Sequence, residues 1–244
     1  MRMMIFTLAF LSLCCVCIAV PNRAFASSFP RVDQDVKAYD DHIAELNTIF
    51  NKLHSDPNDK IWVQAKLQHM VDVDQYMRKE TMNIPFDHQY SDAEKQEYQH
   101  QMMSSWSSVD TANTADLKIL LKIYTWFKIS IFGAQADNNA WLLVQHADLD
   151  PKFQKSVLST LEGLWQQGET KPANYAYLFD RVVTSWIDQS KRTLQRYGTQ
   201  GSCIGPGTWE PLPMEAPSKI DVRRASVGLG TEADYIKVFK SICH

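Results

Sequence analysis

The sequence predicts a mainly α-helical protein: a single helical domain of about six to eight helices, a Gly/Pro-rich C-terminal loop region and one small β-hairpin. Apolar residues recur at steps of three and four along most of the chain, and glycine or proline separates these periodic segments. The segment 198–217 is too rich in both residues for long regular structure. The composition, 45% hydrophobic and 22% charged, is typical of a globular domain.

The first 26 residues have the features of a secretory signal peptide. An almost unbroken apolar run over 3–20 follows Arg2, Pro21 interrupts it, and Ala24 and Ala26 are the small residues that signal peptidase requires. We therefore expect an exported protein, periplasmic or extracellular, that is cleaved after Ala26 and has no stable membrane insertion afterwards. An uncleaved membrane anchor is the alternative, because the run approaches the length that spans a bilayer.

Export has consequences for the cysteines and for the charge. It leaves Cys203 and Cys243, which an oxidising compartment would join in one disulfide; two free buried thiols are the alternative. Cleavage also removes Arg2 and Arg23, which changes the formal net charge from −3 to −5. Since no long basic run remains, we expect no nucleic-acid partner.

The periodic pattern predicts the helices one after another. They cover 35–53, 60–82, a short segment from Ser91, a segment starting near 114, and then 137–147, 151–167, 172–197 and 232–241. The residues from Ser91 to Glu94 fit a capping box. The hairpin would pair 197–200 with 208–212. The chain is thus divided into the signal peptide 1–26, an N-terminal helical extension 27–59 and a helical domain 60–244.

Polar side chains interrupt the apolar faces of three of these predicted helices. Burying a neutral polar group without a partner costs roughly 2–7 kcal/mol, so such groups should face one another in a shared cluster. We expect this cluster to form a binding site. Its expected residues are Asp74, Gln75, Arg78, Trp141, Gln145, Asp148, Tyr177, Tyr197, Thr199 and Gln200.

His146 is the candidate acid–base residue of this cluster. It would be oriented by Asp148 or Asp180, and Arg181 or Arg78 would bind an anionic group. A buried network that only holds the helices together is the alternative. The leading hypothesis is a binding or interaction domain, whose partner would be an unknown small molecule or an envelope protein. A metal-independent hydrolase or transferase that uses His146, Asp180 and Arg181 is the second hypothesis.

Other kinds of chemistry find little support in the sequence. His146, Asp148 and Asp150 offer metal ligands at two-residue steps, but the glycine turn and the distal glutamate of a calcium loop do not accompany them. The Gly-x-Ser-x-Gly motif of serine hydrolases does not occur. We expect no metal and no cofactor.

Several motifs, in this order, resemble a bacterial family known only as a domain of unknown function, number 6624. The main ones are Val73-Asp-Gln-Tyr-Met-Arg78, Trp141-Leu-Leu-Val-Gln-His-Ala-Asp148, Ala176-Tyr-Leu-Phe-Asp-Arg-Val182 and Gln195-Arg-Tyr-Gly-Thr-Gln200. The resemblance implies a helical domain, often preceded by a signal peptide, and implies no activity. Because its motifs contain the polar residues described above, it favours one shared site. The link between the last two motifs, Thr184 to Leu194, is longer here than in the family.

Overall fold

The computed structural model describes residues 28–82, 90–185, 193–241 and 243. Within these ranges it consists of eight α-helices, one short 3-10 helix and a two-stranded antiparallel sheet, which confirms the mainly α fold class. The elements are α1 (Pro30–Phe50), α2 (Lys60–Met82), α3 (Asp92–Tyr124), α4 (Ile129–Gln145), α5 (Pro151–Trp165), α6 (Pro172–Val183), β1 (Gly201–Gly205), β2 (Thr208–Pro211), the 3-10 helix (Pro217–Lys219), α7 (Ile220–Ser226) and α8 (Glu232–Lys240). The expected signal peptide lies outside the described residues.

Two apolar clusters form the core. The larger one lies among α2, α4, α5 and α6 and includes Leu67, Leu161 and Leu178, all fully buried. The smaller one joins α1 to α2 and α3 through Val36, Met77 and their neighbours. The N-terminal extension therefore shares a core with the helices that follow it.

Helix α3 differs from the expectation of two separate helices. The predicted capping box is confirmed: the Ser91 hydroxyl accepts from the Glu94 backbone N–H, and the Glu94 side chain accepts from Ser91 N. From there one helix of 33 residues continues to Tyr124. The polar stretch in its middle contains no glycine or proline to stop it. Tyr98, Met102 and Leu117 bury its inner face.

Helix α6 is shorter than predicted, because the chain leaves the helix after Val183 and does not continue to 197. Backbone N–H groups of Arg196, Tyr197 and Thr199 instead donate to the buried Asp180 carboxylate. Those N–H groups would point along the helix axis if 196–199 were helical, so the two arrangements exclude each other. The predicted segment 186–192 lies outside the described residues.

The C-terminal region contains the hairpin, with a shifted first strand. The pairing is Gly201–Gly205 with Thr208–Pro211, whereas the prediction began the first strand at 197. Cys203 and Cys243 form the expected disulfide, which ties the hairpin to the end of the chain. Helix α7 was not predicted. None of the helices in the described ranges combines the length and the apolar surface that crossing a bilayer requires.

Candidate active or binding cleft

The predicted polar cluster forms where α2, α3 and the end of α4 meet. His146 is the C-cap residue directly after α4, with φ −92° and ψ 0°. Asp74 and Arg78 lie one turn apart on α2 and both contact the His146 ring. The expectation that polar groups on separate helices face one another is met at this point.

The partner of His146 is Asp74, 72 residues away in the chain. His146 Nδ1 lies 2.9 Å from Asp74 Oδ1 and 3.0 Å from Oδ2. Gln75 Nε2 donates to the same carboxylate at 2.7 Å. The hypothesis that Asp180 or Asp148 orients the imidazole is therefore corrected: the orienting carboxylate is on α2.

The position of the proton on His146 follows from these neighbours. Arg78 Nε also lies 2.9 Å from His146 Nδ1. The Arg78 N–H favours an Nδ1 that accepts, and the Asp74 carboxylate favours an Nδ1 that donates. The carboxylate decides, because it is ionised, contacts Nδ1 through both oxygens and can also accept the Arg78 Nε–H. An Nδ1–H donates to Asp74, while Arg78 Nε–H donates to Asp74 Oδ1 at 3.2 Å. In this tautomer the other ring nitrogen, Nε2, is a hydrogen-bond acceptor.

Burial and charge set the protonation states of this pair. Burial lowers the pKa of His146, and the charges of Arg78 and Arg181 lower it further, while the hydrogen bond and charge of Asp74 oppose them. Burial acts to raise the pKa of Asp74, but the hydrogen bond from His146 and the charges of His146 and Arg78 outweigh it and bring it below its ordinary value. The pair is thus a neutral imidazole held by an ionised carboxylate.

Asp110 and Trp106 on α3 complete this part of the cleft and were missing from the predicted site. Arg78 Nη2 donates to Asp110 Oδ1 at 2.8 Å, and Trp106 Nε1 donates to Asp110 Oδ2 at 2.9 Å. The Arg78 guanidinium lies over the Trp106 ring at 4.4 Å. Burial raises the pKa of Asp110 to about 7, aided by the charge of Asp74 and opposed by Arg78. The four-residue spacing of Trp106 and Asp110 was the available sequence signal.

Arg181 on α6 forms a second ion pair beside the first group. Its Nε donates to Asp148 Oδ1 at 2.9 Å, Nη2 contacts Asp148 Oδ2, and Nη1 donates to Gln200 Oε1 at 3.1 Å. Gln154 Nε2 donates to Asp148 at 3.1 Å. The charge of Arg181 acts on His146 and lowers its pKa, so this ion pair lies close enough to the first group to interact with it electrostatically.

Asp180 lies outside the cleft although it directly precedes Arg181. It is fully buried and accepts hydrogen bonds from four donors, namely the N–H groups of Arg196, Tyr197 and Thr199 and the Thr199 hydroxyl. Tyr197 and Thr199, both predicted as binding residues, are thus held by Asp180 within the loop. Of that loop, Gln200 reaches the cleft.

The remaining predicted residues differ in how far they are buried and in which residues they contact. Trp141 and Tyr177 are half-buried and pack together, with ring centroids 5.6 Å apart. The buried Gln145 accepts a hydrogen bond from Gln154 through its backbone oxygen. Asp150, considered as a metal ligand with His146 and Asp148, instead caps α5 through Phe153 N and pairs with Lys118.

The fold and the contacts around His146 define a class of protein, a mainly α-helical domain in which polar side chains from several helices meet. The chain belongs to the family described as a family of unknown function (DUF6624), whose model matches residues 62–243. This match confirms the resemblance that the motifs indicate. Comparison with curated proteins and with solved structures finds no match.

Proposed function

We propose that the protein is an exported binding domain whose cleft at His146 takes a small polar ligand. This proposal rests on the observation that one nitrogen of the His146 imidazole has a hydrogen-bond partner in the described chain and the other has none. Nδ1 is held by Asp74 at 2.9 Å, whereas Nε2 has no hydrogen-bond partner among the described residues, and the side chain is 17% exposed. A partly exposed ring nitrogen that no described protein group satisfies can bind water or a ligand.

The cleft suggests the chemistry of the ligand. Neutral His146 offers Nε2 as an acceptor, so a hydroxyl or amine of the ligand would donate to it. Arg78 bonds to the described chain through Nε and Nη2, which leaves the Nη1 donors for an acceptor oxygen of the ligand. Because Asp74 and Asp148 already offset much of the charge of Arg78 and Arg181, a hydroxylated molecule fits better than a highly charged anion.

His146→Asn tests the binding proposal. An asparagine at 146 can donate from Nδ2 to Asp74, as Nδ1–H does, but has no group at the position of Nε2. We expect the variant to melt within about 3 °C of the wild type, which corresponds to roughly 1 kcal/mol for a chain of this size. A thermal-shift panel of monosaccharides, hydroxy acids and nucleosides should contain a compound that stabilises the wild type and leaves His146→Asn unchanged.

Two results would contradict the binding proposal. One is a fall in melting temperature of ten degrees or more for His146→Asn, which would make the pair structural. The other is a compound that stabilises both proteins equally, since its site would then lie elsewhere.

Acid–base catalysis at the same histidine is the second candidate function. The observation that favours it is the carboxylate–imidazole pair itself, which is the arrangement that orients a general base. In this role Nε2 would take a proton from a bound hydroxyl or water, Asp74 would stabilise the resulting imidazolium, and Arg78 or Arg181 would hold an acceptor oxygen. Incubating each stabilising compound with the wild type and with His146→Asn separates the candidates, because a binding domain returns the compound unchanged.

Export is a separate part of the proposal. It is supported by the apolar segment 3–20 followed by Ala24 and Ala26, and by the disulfide between Cys203 and Cys243, which is typical of an oxidising compartment. N-terminal sequencing of the protein from the native host should give Ser27 as the first residue. Ala26→Arg should prevent this cleavage. A wild-type chain that retains its first residues would contradict cleavage after Ala26.

A further inference from the structure

Two aromatic side chains lie on the helices that carry the polar groups near His146. Trp141 of α4 and Tyr177 of α6 are half-buried, and their ring centroids are 5.6 Å apart. Tyr177 also packs against Tyr235 of α8 with centroids 6.1 Å apart, so its position is set from a second side. Both Trp141 and Tyr177 belong to the cluster that the sequence predicts, and the ligand contacts proposed so far do not involve them.

This aromatic pair lies beside the ion pair of Arg181. Tyr177 and Arg181 are four residues apart on α6, a spacing that brings two side chains to one face of a helix with Cβ atoms about 5–6 Å apart. Arg181 contacts Asp148, which comes seven residues after Trp141 and two residues after His146. Along both chain segments the aromatic contact is therefore followed directly by the ion pair, and the ion pair is followed by no other group before His146 is reached.

The polar groups in this region form donor–acceptor pairs. Arg181 can only donate and Asp148 can only accept, and both are partly exposed. Arg78 Nη1 can only donate and His146 Nε2 accepts, and neither atom has a partner among the described residues. A hydroxyl group donates and accepts at once, whereas a carboxylate can only accept and an ammonium group can only donate. Two such pairs close together therefore favour a ligand with several hydroxyl groups.

The aromatic pair favours a ligand that also has C–H groups on one face. The faces of aromatic rings are electron-rich and attract the slightly positive hydrogens of C–H groups. A sugar in its pyranose form has hydroxyl groups around its edge and C–H groups on its faces. The rings of Trp141 and Tyr177 are inclined to each other by 60°, so a flat nucleobase cannot lie parallel to both. A puckered sugar ring has C–H groups in several directions and can contact both rings.

We infer that this region binds a saccharide in its pyranose form, with the C–H groups against Trp141 and Tyr177. Its hydroxyl groups bind the two donor–acceptor pairs, Arg181 with Asp148 and Arg78 with His146. The inference rests on the proposed function, and it narrows the ligand from hydroxylated molecules in general to saccharides.

A comparison of ring-form and open-chain compounds tests the class of ligand. The methyl β-glycosides of glucose, galactose and N-acetylglucosamine have the ring form, and sorbitol has similar hydroxyl groups on an open chain. Titrated into the purified protein, at least one glycoside should bind saturably at one site per chain and at least about fivefold more tightly than sorbitol, which has no C–H face. In saturation-transfer NMR, irradiating the aromatic protons of the protein should reach the ring C–H protons of this glycoside more strongly than its O-methyl protons.

Tyr177→Leu and Phe179→Leu form a matched pair of variants. Both residues are half-buried on α6, but they differ by about 200° around the helix, and Phe179 packs against Tyr175 and Tyr197. Tyr177→Leu should weaken glycoside binding at least about fivefold, because the aromatic face is lost. Phe179→Leu should leave the affinity within about twofold of the wild type, and so should Tyr177→Phe, which keeps the ring.

Three results would overturn the saccharide inference: no glycoside binds, sorbitol binds as tightly as the glycosides, or Tyr177→Leu binds like Phe179→Leu. If Tyr177→Leu does not fold, the comparison with sorbitol and the saturation transfer decide. A hydroxy acid or nucleoside that stabilises the wild type but not His146→Asn, while no glycoside binds, would overturn this inference and leave the proposed function intact. Glycoside binding that is lost in Tyr177→Leu but unchanged in His146→Asn would overturn both, because one sugar would then not contact both groups.

Discussion

Asp180 and Asp74 are both almost completely buried carboxylates, 0% and 1% exposed, yet they serve different purposes. The donors to Asp180 come from one short loop, and most are backbone N–H groups. The donors to Asp74 are side chains, and one of them is an imidazole with a second nitrogen. Burial of a charge therefore does not by itself identify a functional site. What distinguishes Asp74 is that one of its partners, His146, has a second ring nitrogen without a hydrogen-bond partner among the described residues.

The largest effect that this comparison predicts is for Asp180→Ala. The change leaves several buried N–H groups without an acceptor, at about 1–3 kcal/mol for each, so we expect the unfolding free energy to fall by at least about 3 kcal/mol. Urea unfolding followed by circular dichroism would measure this. Asp180→Asn keeps one acceptor oxygen and should lose less.

Asp221→Ala is the control for Asp180→Ala. Asp221 also accepts a backbone N–H, that of Glu232, but at an exposed position where water can replace it. Its loss should be below about 1 kcal/mol. Equal losses for Asp180→Ala and Asp221→Ala would remove the distinction between the loop and an ordinary surface contact.

Asp74→Asn should lower the free energy of unfolding by less, about 1–3 kcal/mol, because the amide oxygen can still accept a hydrogen bond from Arg78 or His146. The informative change is in protonation. Since the charge of Asp74 raises the pKa of His146, the loss of this charge should lower that pKa further. NMR titration of the His146 ring would measure it. Asp72→Asn, at an exposed position of the same helix, should leave the His146 titration unchanged.

The titration of Asp110 in the wild-type protein provides a further test, which needs no substitution. Its folded pKa of about 7 lies above the ordinary value of 3.8, so the folded state binds an extra proton between these values. Its contribution to the unfolding free energy therefore falls as pH rises from about 4 to 7. The Asp110 carboxyl carbon should titrate near pH 7 by NMR. Arg78→Gln should raise this midpoint, and Trp106→Phe should raise it less, since both residues lower the pKa and Arg78 contributes more. A midpoint near 4 would contradict the burial argument.

The parts of the fold that depend on short sequence signals, such as helix caps and a single pair of cysteines, could be predicted. The helix starts at Ser91 and Pro151 follow from caps, and the disulfide follows from two cysteines in a chain expected to be exported. The end of α6 could not be predicted, because Asp180 captures the loop 196–199 through tertiary hydrogen bonds that spacing does not reveal. Local residue patterns predict that the helix continues, because they contain no information about an acceptor that competes for the backbone N–H groups in the folded chain.

The sequence indicates several residues of the candidate site, but it does not indicate which of them contact one another. Sequence spacing places Asp74 with Arg78 on one face of α2, and it places His146 on another element, but it does not bring them together. Adjacent residues such as Asp180 and Arg181 differ by about 100° around a helix, so they must face different surroundings. Which of the two faces the cleft depends on how the helices pack.

The smallest effect is expected for Arg181→Gln. Arg181 and Asp148 are 23% and 40% exposed, and Asp148 keeps its hydrogen bond from Gln154, so the loss of stability should stay within about 1 kcal/mol. The pKa of His146 should rise slightly, because the charge of Arg181 lowers it. A double-mutant cycle with Asp148→Asn measures the coupling within the ion pair. If Arg181→Gln lowers the free energy of unfolding as much as Asp180→Ala does, Arg181 has a structural role like that of Asp180. The open side of the cleft would then shrink to His146 and Arg78.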